Sequence, residues 1–173
     1  MIVIRMKIVI LTGPPAAGKN TVGQALAEIR TKSALIDVDQ LRWILRKPHV
    51  PPWKGEEGVR QTELGIRNAC LLGQQFLAYG CDVITLDFLW PYSLNLYREG
   101  WADEKIRVVR LMPPLVTCVE RNRARGQWLT DDEVQMLYKQ MEAFEGYELS
   151  IDNEHLSAVA AAERISALVD HAL

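Results

Sequence analysis

Lys7-Ile8-Val9-Ile10-Leu11-Thr12-Gly13-Pro14-Pro15-Ala16-Ala17-Gly18-Lys19-Asn20-Thr21 is an apolar run that empties into a glycine-flanked loop carrying a lysine. The spacing from Gly13 to Lys19 is close to the phosphate-loop pattern GxxxxGK[ST]. A buried strand there delivers a tight turn, and a helix then begins with its unpaired backbone N–H groups aimed at one point. Gly13 and Gly18 let the backbone approach an anion. Pro14, Pro15, Ala16, Ala17, Asn20 and Thr21 complete the expected cradle, and Lys19 is expected to reach the terminal phosphates as a mobile point charge. The loop therefore predicts a nucleoside triphosphate as ligand. One position departs from the pattern: Asn20 stands where a Ser or Thr hydroxyl normally meets magnesium. Its amide oxygen is the candidate ligand for a hard cation, and Thr21 lies one place out of register.

Composition agrees with a compact α/β enzyme. The 173 residues suit one domain, and a 49% hydrophobic content fills one core. Lys plus Arg total 20 against 22 Asp plus Glu, a net charge of −2, without the basic excess of a dedicated nucleic-acid binder. Cys70, Cys81 and Cys118 form no CxxC pair, so neither a disulfide framework nor a zinc site is indicated and a reducing cytoplasm is the expected compartment. The N-terminal apolar segment is too short to span a bilayer and runs straight into the loop, so it reads as strand, with Met1 to Arg5 as an extension. His49, His155 and His171 lack metal-binding spacing and read as surface or loop residues.

Short β-rich runs alternate with longer helical patterns, which predicts right-handed βαβ units around a parallel sheet. Strands are expected at Met6 to Thr12, Ala34 to Val38, Asp82 to Asp87, Ile106 to Met112 and Tyr147 to Ile151. Helices are expected from Gly18 to Arg30, Asp39 to Arg46 and Glu56 to Tyr79, the last burying Val59, Ile66, Ala69, Cys70, Phe76 and Leu77. Pro113-Pro114 opens another that reaches Arg125, with Gly126 just past its end. Thr130 caps the next, whose first turn holds Asp131, Asp132 and Glu133. The final helix runs from Ser157 to His171.

Ligands of open α/β sheets sit beyond the carboxyl ends of the strands, and three such places carry chemistry. After the second strand, Asp37-Val38-Asp39-Gln40-Leu41-Arg42 places a carboxylate and a guanidinium one helical turn apart. Asp39 is suited to take a proton from an acceptor hydroxyl and Arg42 to hold substrate or phosphate; alternatively, Asp39 is a helix cap paired with Arg42. After the third strand, Asp87 is a candidate for magnesium or for an acceptor hydroxyl, or it satisfies turn amides. Arg121, Arg123 and Arg125 crowd a helix end, with Arg121 and Arg125 four apart. A phosphate between those two would relieve their repulsion, although cations suit a helix C-terminus in any case.

GPPAAGKNT, IDVDQLR, VITLD and VERNRARG occur in the order found in a group of phosphate-loop kinases. The set resembles the kinase module of polynucleotide 5′-kinases, chloramphenicol phosphotransferase and gluconate-kinase-like proteins over about residues 6 to 146. The resemblance implies a five-stranded parallel sheet of order 2-3-1-4-5 with helices on both faces, and a lid over about residues 121 to 132 within a single domain spanning 1–173. It also implies Asp39 as general base, Arg42 on a phosphate at the acceptor site, Asp87 on the acceptor, and Arg121 and Arg125 on the donor phosphates.

Lys47-Pro48-His49-Val50-Pro51-Pro52-Trp53 is too proline-rich for helix and lies where kinases of this build hold the acceptor. Trp53 and Trp90 are candidates to stack on it, or pack internally; Trp128 falls inside the expected lid. The chain is thus expected to be an ATP- and magnesium-dependent phosphotransferase acting on a small-molecule hydroxyl, through Lys19, Asp39 and Arg125. The rivals are a 5′-hydroxyl nucleic-acid or nucleoside kinase and a nucleotide-binding switch without turnover.

Overall fold

The computed structural model describes residues 7–171, with the side chain of His171 outside that description. Met6, and the proposed extension Met1 to Arg5, fall outside it too. Five strands, β1 (Ile8–Thr12), β2 (Ser33–Asp37), β3 (Asp82–Leu86), β4 (Ile106–Leu111) and β5 (Leu149–Ile151), form one sheet of order β2-β3-β1-β4-β5. Every neighbouring pair is parallel. β1 is central and buried along its whole length, which is why it reads as an unbroken apolar run: a parallel strand is covered on both faces.

Successive side chains of β1 point to opposite faces and so seed two cores. Val9 and Leu11 pack with Ile84, Val109 and Ile151 under α1 (Lys19–Glu28) and α7 (Ala158–His171). Ile8 and Ile10 pack with Val83 and Val108 under α3 (Gly55–Ala78), α4 (Ser93–Gly100) and α6 (Asp131–Glu142), which supply Ile66, Ala69, Tyr97 and Met141. The three cysteines are buried and free.

Several expected boundaries move. The helix expected from Asp39 to Arg46 is the shorter α2 (Val38–Trp43), capped at Ile44; Pro48 bars helix from Lys47 onward. Gln61 of α3 fastens the loop that follows: it donates to the Pro48 carbonyl (2.9 Å) and accepts from the Val50 N–H (2.9 Å). Phe76, assigned to the core by periodicity, is 40% exposed, and the buried face of α3 turns through Gly65, Ile66, Ala69 and Gly73 instead. A Cβ on Gly65 would lie 2.6 Å from Arg42 Cγ, so this glycine lets α2 close onto α3.

α4 carries no sequence signal of its own. It is eight residues long and opens behind Pro91, yet it delivers the buried Tyr97, with Trp101 just beyond it. β5 starts at Leu149, later than expected. Tyr147 lies under the Arg110 guanidinium, 3.9 Å from its ring centroid, and its hydroxyl accepts from Arg110 Nη2 at 2.9 Å. Arg110 also donates to the carbonyls of Met141, Glu142 and Phe144, so it ties the end of α6 to the sheet. Thr130 caps α6 as expected, in a reciprocal box with Glu133.

Candidate active site

The phosphate loop joins β1 to α1 at the carboxyl end of the sheet. Gly13 has no alternative there, since a Cβ would meet the Leu111 carbonyl oxygen at 2.4 Å. Ala16 and Gly18 take positive φ, 60° and 99°, which turns successive backbone N–H groups towards one concavity. The first-turn amides of α1, at Lys19, Asn20 and Thr21, have no intrahelical acceptor and add to it. Lys19 Nζ donates to the carbonyls of Gly13 (2.8 Å) and Pro14 (3.2 Å), arching back over the loop. Burial, and next the charge of Arg125, lower its pKa, against the opposing charges of Asp39, Asp87 and Asp37. Asn153, a residue that no motif marks, is buried behind the loop and donates to the Ala17 carbonyl at 2.8 Å.

The end of β2 corrects one sequence alternative: the cap of α2 is Asp37, whose carboxylate accepts from the Asp39 N–H at 3.1 Å. Asp39 is thereby left with its side chain 63% exposed and paired to Arg42 Nη1 at 3.3 Å. Arg42 itself is buried and donates from Nη2 to the Val50 carbonyl at 3.1 Å. Asn20 Nδ2 donates to the other carboxylate oxygen of Asp37 at 2.8 Å. Asp37 is the residue that motif spacing alone left without a role, and it joins α1 to α2 at the mouth of the loop.

At the end of β3, Asp87 is 5% exposed and accepts from the Tyr97 hydroxyl at 2.8 Å. Burial pushes the Asp87 carboxyl up to about 7, and the Asp39 charge adds to this, while Tyr97, the Phe88 N–H and Lys19 oppose. Tyr97 is held well above its ordinary pKa by burial and by Asp87, so it stays a donor. Asp87 is therefore a buried acid just past the end of β3, which accepts both from the Tyr97 hydroxyl and from the Phe88 N–H of its own turn.

α5 (Leu115–Ala124) carries the arginines. Arg125 acts on Lys19 through its charge. Arg121 Nη2 donates to the Glu154 carbonyl at 3.3 Å, and Arg123 pairs with Asp131 across the connection to α6. Asn122 closes that connection by donating to the Leu129 carbonyl at 2.8 Å. Trp53 and Trp90 are half-buried, with Trp90 tilted against Phe88 at 4.8 Å between centroids. Trp128 is 77% exposed.

No family model matches this chain, and no curated protein matches it. Solved structures do. A sugar kinase from Janibacter superposes with a TM-score of 0.72 at 17% identity, covering 96% of each chain. This is the P-loop kinase fold. A tunicamycin resistance protein from Deinococcus radiodurans gives a TM-score of 0.70 at 22% identity, covering 95% of this chain and 96% of its own. A gluconokinase from Sinorhizobium meliloti gives 0.60 at 19% identity over 94% of each chain. The sheet order expected from the kinase resemblance is the order observed. Among the described residues no helix is long and apolar enough to cross a membrane.

Proposed function

We propose that this protein is a cytoplasmic ATP-dependent kinase that transfers the γ-phosphoryl group to a hydroxyl of a small molecule. The observation that carries this is the meeting at one strand-end cleft of a loop-bound lysine with two carboxylates, Asp39 and Asp87, whose charges act on it. A loop for phosphate beside a candidate base is what transfer to a hydroxyl requires, because such catalysis consists of positioning and charge neutralisation. A small acceptor is preferred to a nucleic-acid 5′ end because the net charge of −2 offers no strong basic surface to a phosphate backbone.

In this mechanism the loop amides and Lys19 hold the donor phosphates, and Arg125 swings from beside Lys19 onto the charge developing in transfer. The segment 121–132 acts as the lid that brings Arg125 and Arg121 over the nucleotide. Asp39 accepts the acceptor's proton, Arg42 fixes Asp39 in place, and Asp87 orients the acceptor hydroxyl, with Trp53 and Trp90 flanking its body. When bound, magnesium neutralises the β- and γ-phosphates.

The chain offers magnesium the Asn20 amide oxygen and the Asp37 carboxylate. Among the described residues no cluster of three or more His, Cys, Asp or Glu side chains is arranged to hold a metal by itself. Magnesium in phosphoryl-transfer sites is held by one or two carboxylates plus substrate phosphates. Calorimetric titration with ATP, with and without magnesium, followed by a hydroxyl-compound screen for ADP release, tests the reading. Tight metal-dependent binding with acceptor-stimulated ADP release is expected; ATP binding that no hydroxyl compound converts to transfer would favour the switch instead.

The Asn20 to Asp37 hydrogen bond of 2.8 Å competes with a metal for the same carboxylate. Asn20→Thr removes that donor and restores a hydroxyl, so the magnesium affinity of the ATP complex is expected to tighten roughly tenfold. A metal titration of the nucleotide complex reads this directly, and an unchanged midpoint would refute the competition.

A further inference from the structure

From Gly65 to Gly80 the chain carries one charged side chain, Arg67, in a protein whose overall charged content is 24%. That stretch is the C-terminal 14 of the 24 residues of α3, with its C-cap Tyr79 and Gly80. Its outward stripe at helical spacing is Leu64, Asn68, Leu71, Leu72, Gln75 and Tyr79. Leu64, Leu71, Leu72 and Tyr79 are 48%, 62%, 41% and 73% exposed. Beside it, a groove of about 230 Å³ between α2 and α3 continues the apolar surface through Leu41, Ile44 and Leu45.

We propose that this stripe is the two-fold interface of a homodimer. The order apolar, amide, apolar, apolar, amide, apolar reads the same in both directions about a point between Leu71 and Leu72. Laid antiparallel on a second copy, Leu64 faces Tyr79 of the partner subunit, Asn68 faces Gln75 of the partner subunit, and Leu71 faces Leu72 of the partner subunit. Each amide carries donors and an acceptor and so bonds the other without a charge. Such self-complementarity is what an isologous contact demands, and a foreign partner would have no need of it. The stripe from Leu64 to Tyr79 is about 23 Å long, and with the α2 groove it presents on the order of 600 to 800 Å² per subunit, near the standard share of a stable interface. Gly65 and Arg42 join this surface to the candidate base through α2, so dimerisation would brace the acceptor side of the cleft.

Light scattering on the eluting protein measures the mass directly, and twice 19.6 kDa is expected at micromolar concentration. Leu71→Glu is expected to halve that mass while ATP binding, read by calorimetry, stays within twofold. Because all three native cysteines are buried, Leu71→Cys places one accessible thiol next to the axis, and mild oxidation is expected to link most of the protein into covalent dimers. Val159→Cys, on the 53% exposed position of α7, is expected to remain unlinked. A monomeric mass for the unmodified protein overturns the proposal and leaves the stripe to a different partner. A dimer that survives Leu71→Glu, or equal linking of the two cysteine variants, overturns it as well.

Discussion

Asp39→Asn is expected to lower the rate of phosphoryl transfer by about three orders of magnitude, within the range a positioned general base supplies, while ATP affinity changes by less than twofold. The asparagine keeps the side-chain oxygen that Arg42 Nη1 reaches at 3.3 Å, and the cap of α2 is untouched because it belongs to Asp37. What disappears is the capacity to accept a proton. Asp39→Ala removes the partner of Arg42 as well, and Arg42 is buried, with its Nε lacking any hydrogen-bond acceptor. Because Asp39 is 63% exposed, the pair is screened and its loss costs about 1 kcal/mol or less in stability. Asp39→Ala is therefore expected to match Asp39→Asn in rate and to melt slightly lower. Steady-state ADP release with an accepted hydroxyl compound, beside calorimetry for ATP, separates the two effects. An Asn variant that kept more than about a tenth of the turnover would remove Asp39 from the base role.

The parts of this molecule that were legible in its sequence are those where local chemistry and tertiary position coincide. Ile8–Thr12 could only be a central parallel strand, and Gly13 is dictated by a carbonyl that allows no Cβ. Thr130 and Glu133 form their cap from four adjacent residues. The misreadings share a different cause, which is that the deciding partner lies far away along the chain. Asp39 reads as a cap on sequence grounds, yet the cap is Asp37, whose other carboxylate oxygen is held by Asn20, 17 residues earlier. Tyr97 sits on a helix too short for periodicity to reveal, and its importance comes from a hydrogen bond to Asp87. Phe76 kept the helical period yet fell on the outside of α3, because the glycines at 65 and 73, which periodicity does not count as apolar, mark the face pressed against Arg42 and Trp101.

Asp87→Asn is expected to stabilise the fold and impair the enzyme together. In the unfolded chain this carboxyl loses its proton near 3.8, whereas in the native protein it does so at about 7. Between those values the native state binds more protons than the unfolded one, so stability falls as pH rises and levels off above about 7. The asparagine cannot ionise, still accepts from Tyr97, and is free of this cost. Its advantage over the parent is expected to vanish towards pH 4, to grow through the window, and to reach on the order of 2 kcal/mol at pH 8, about 5 °C in melting temperature for a chain of this size. Transfer should move the other way under the proposed role of Asp87 as the group that orients the acceptor hydroxyl. The parent's activity is expected to rise with pH on an acid limb near 7, and Tyr97→Phe to shift that limb higher by removing a donor that favours the ionised form. Thermal melts at pH 4, 6 and 8 and a pH–rate profile for the three proteins test this account. A stabilisation independent of pH would mean that Asp87 is already ionised in the native cleft, and the acid limb would then belong to another group.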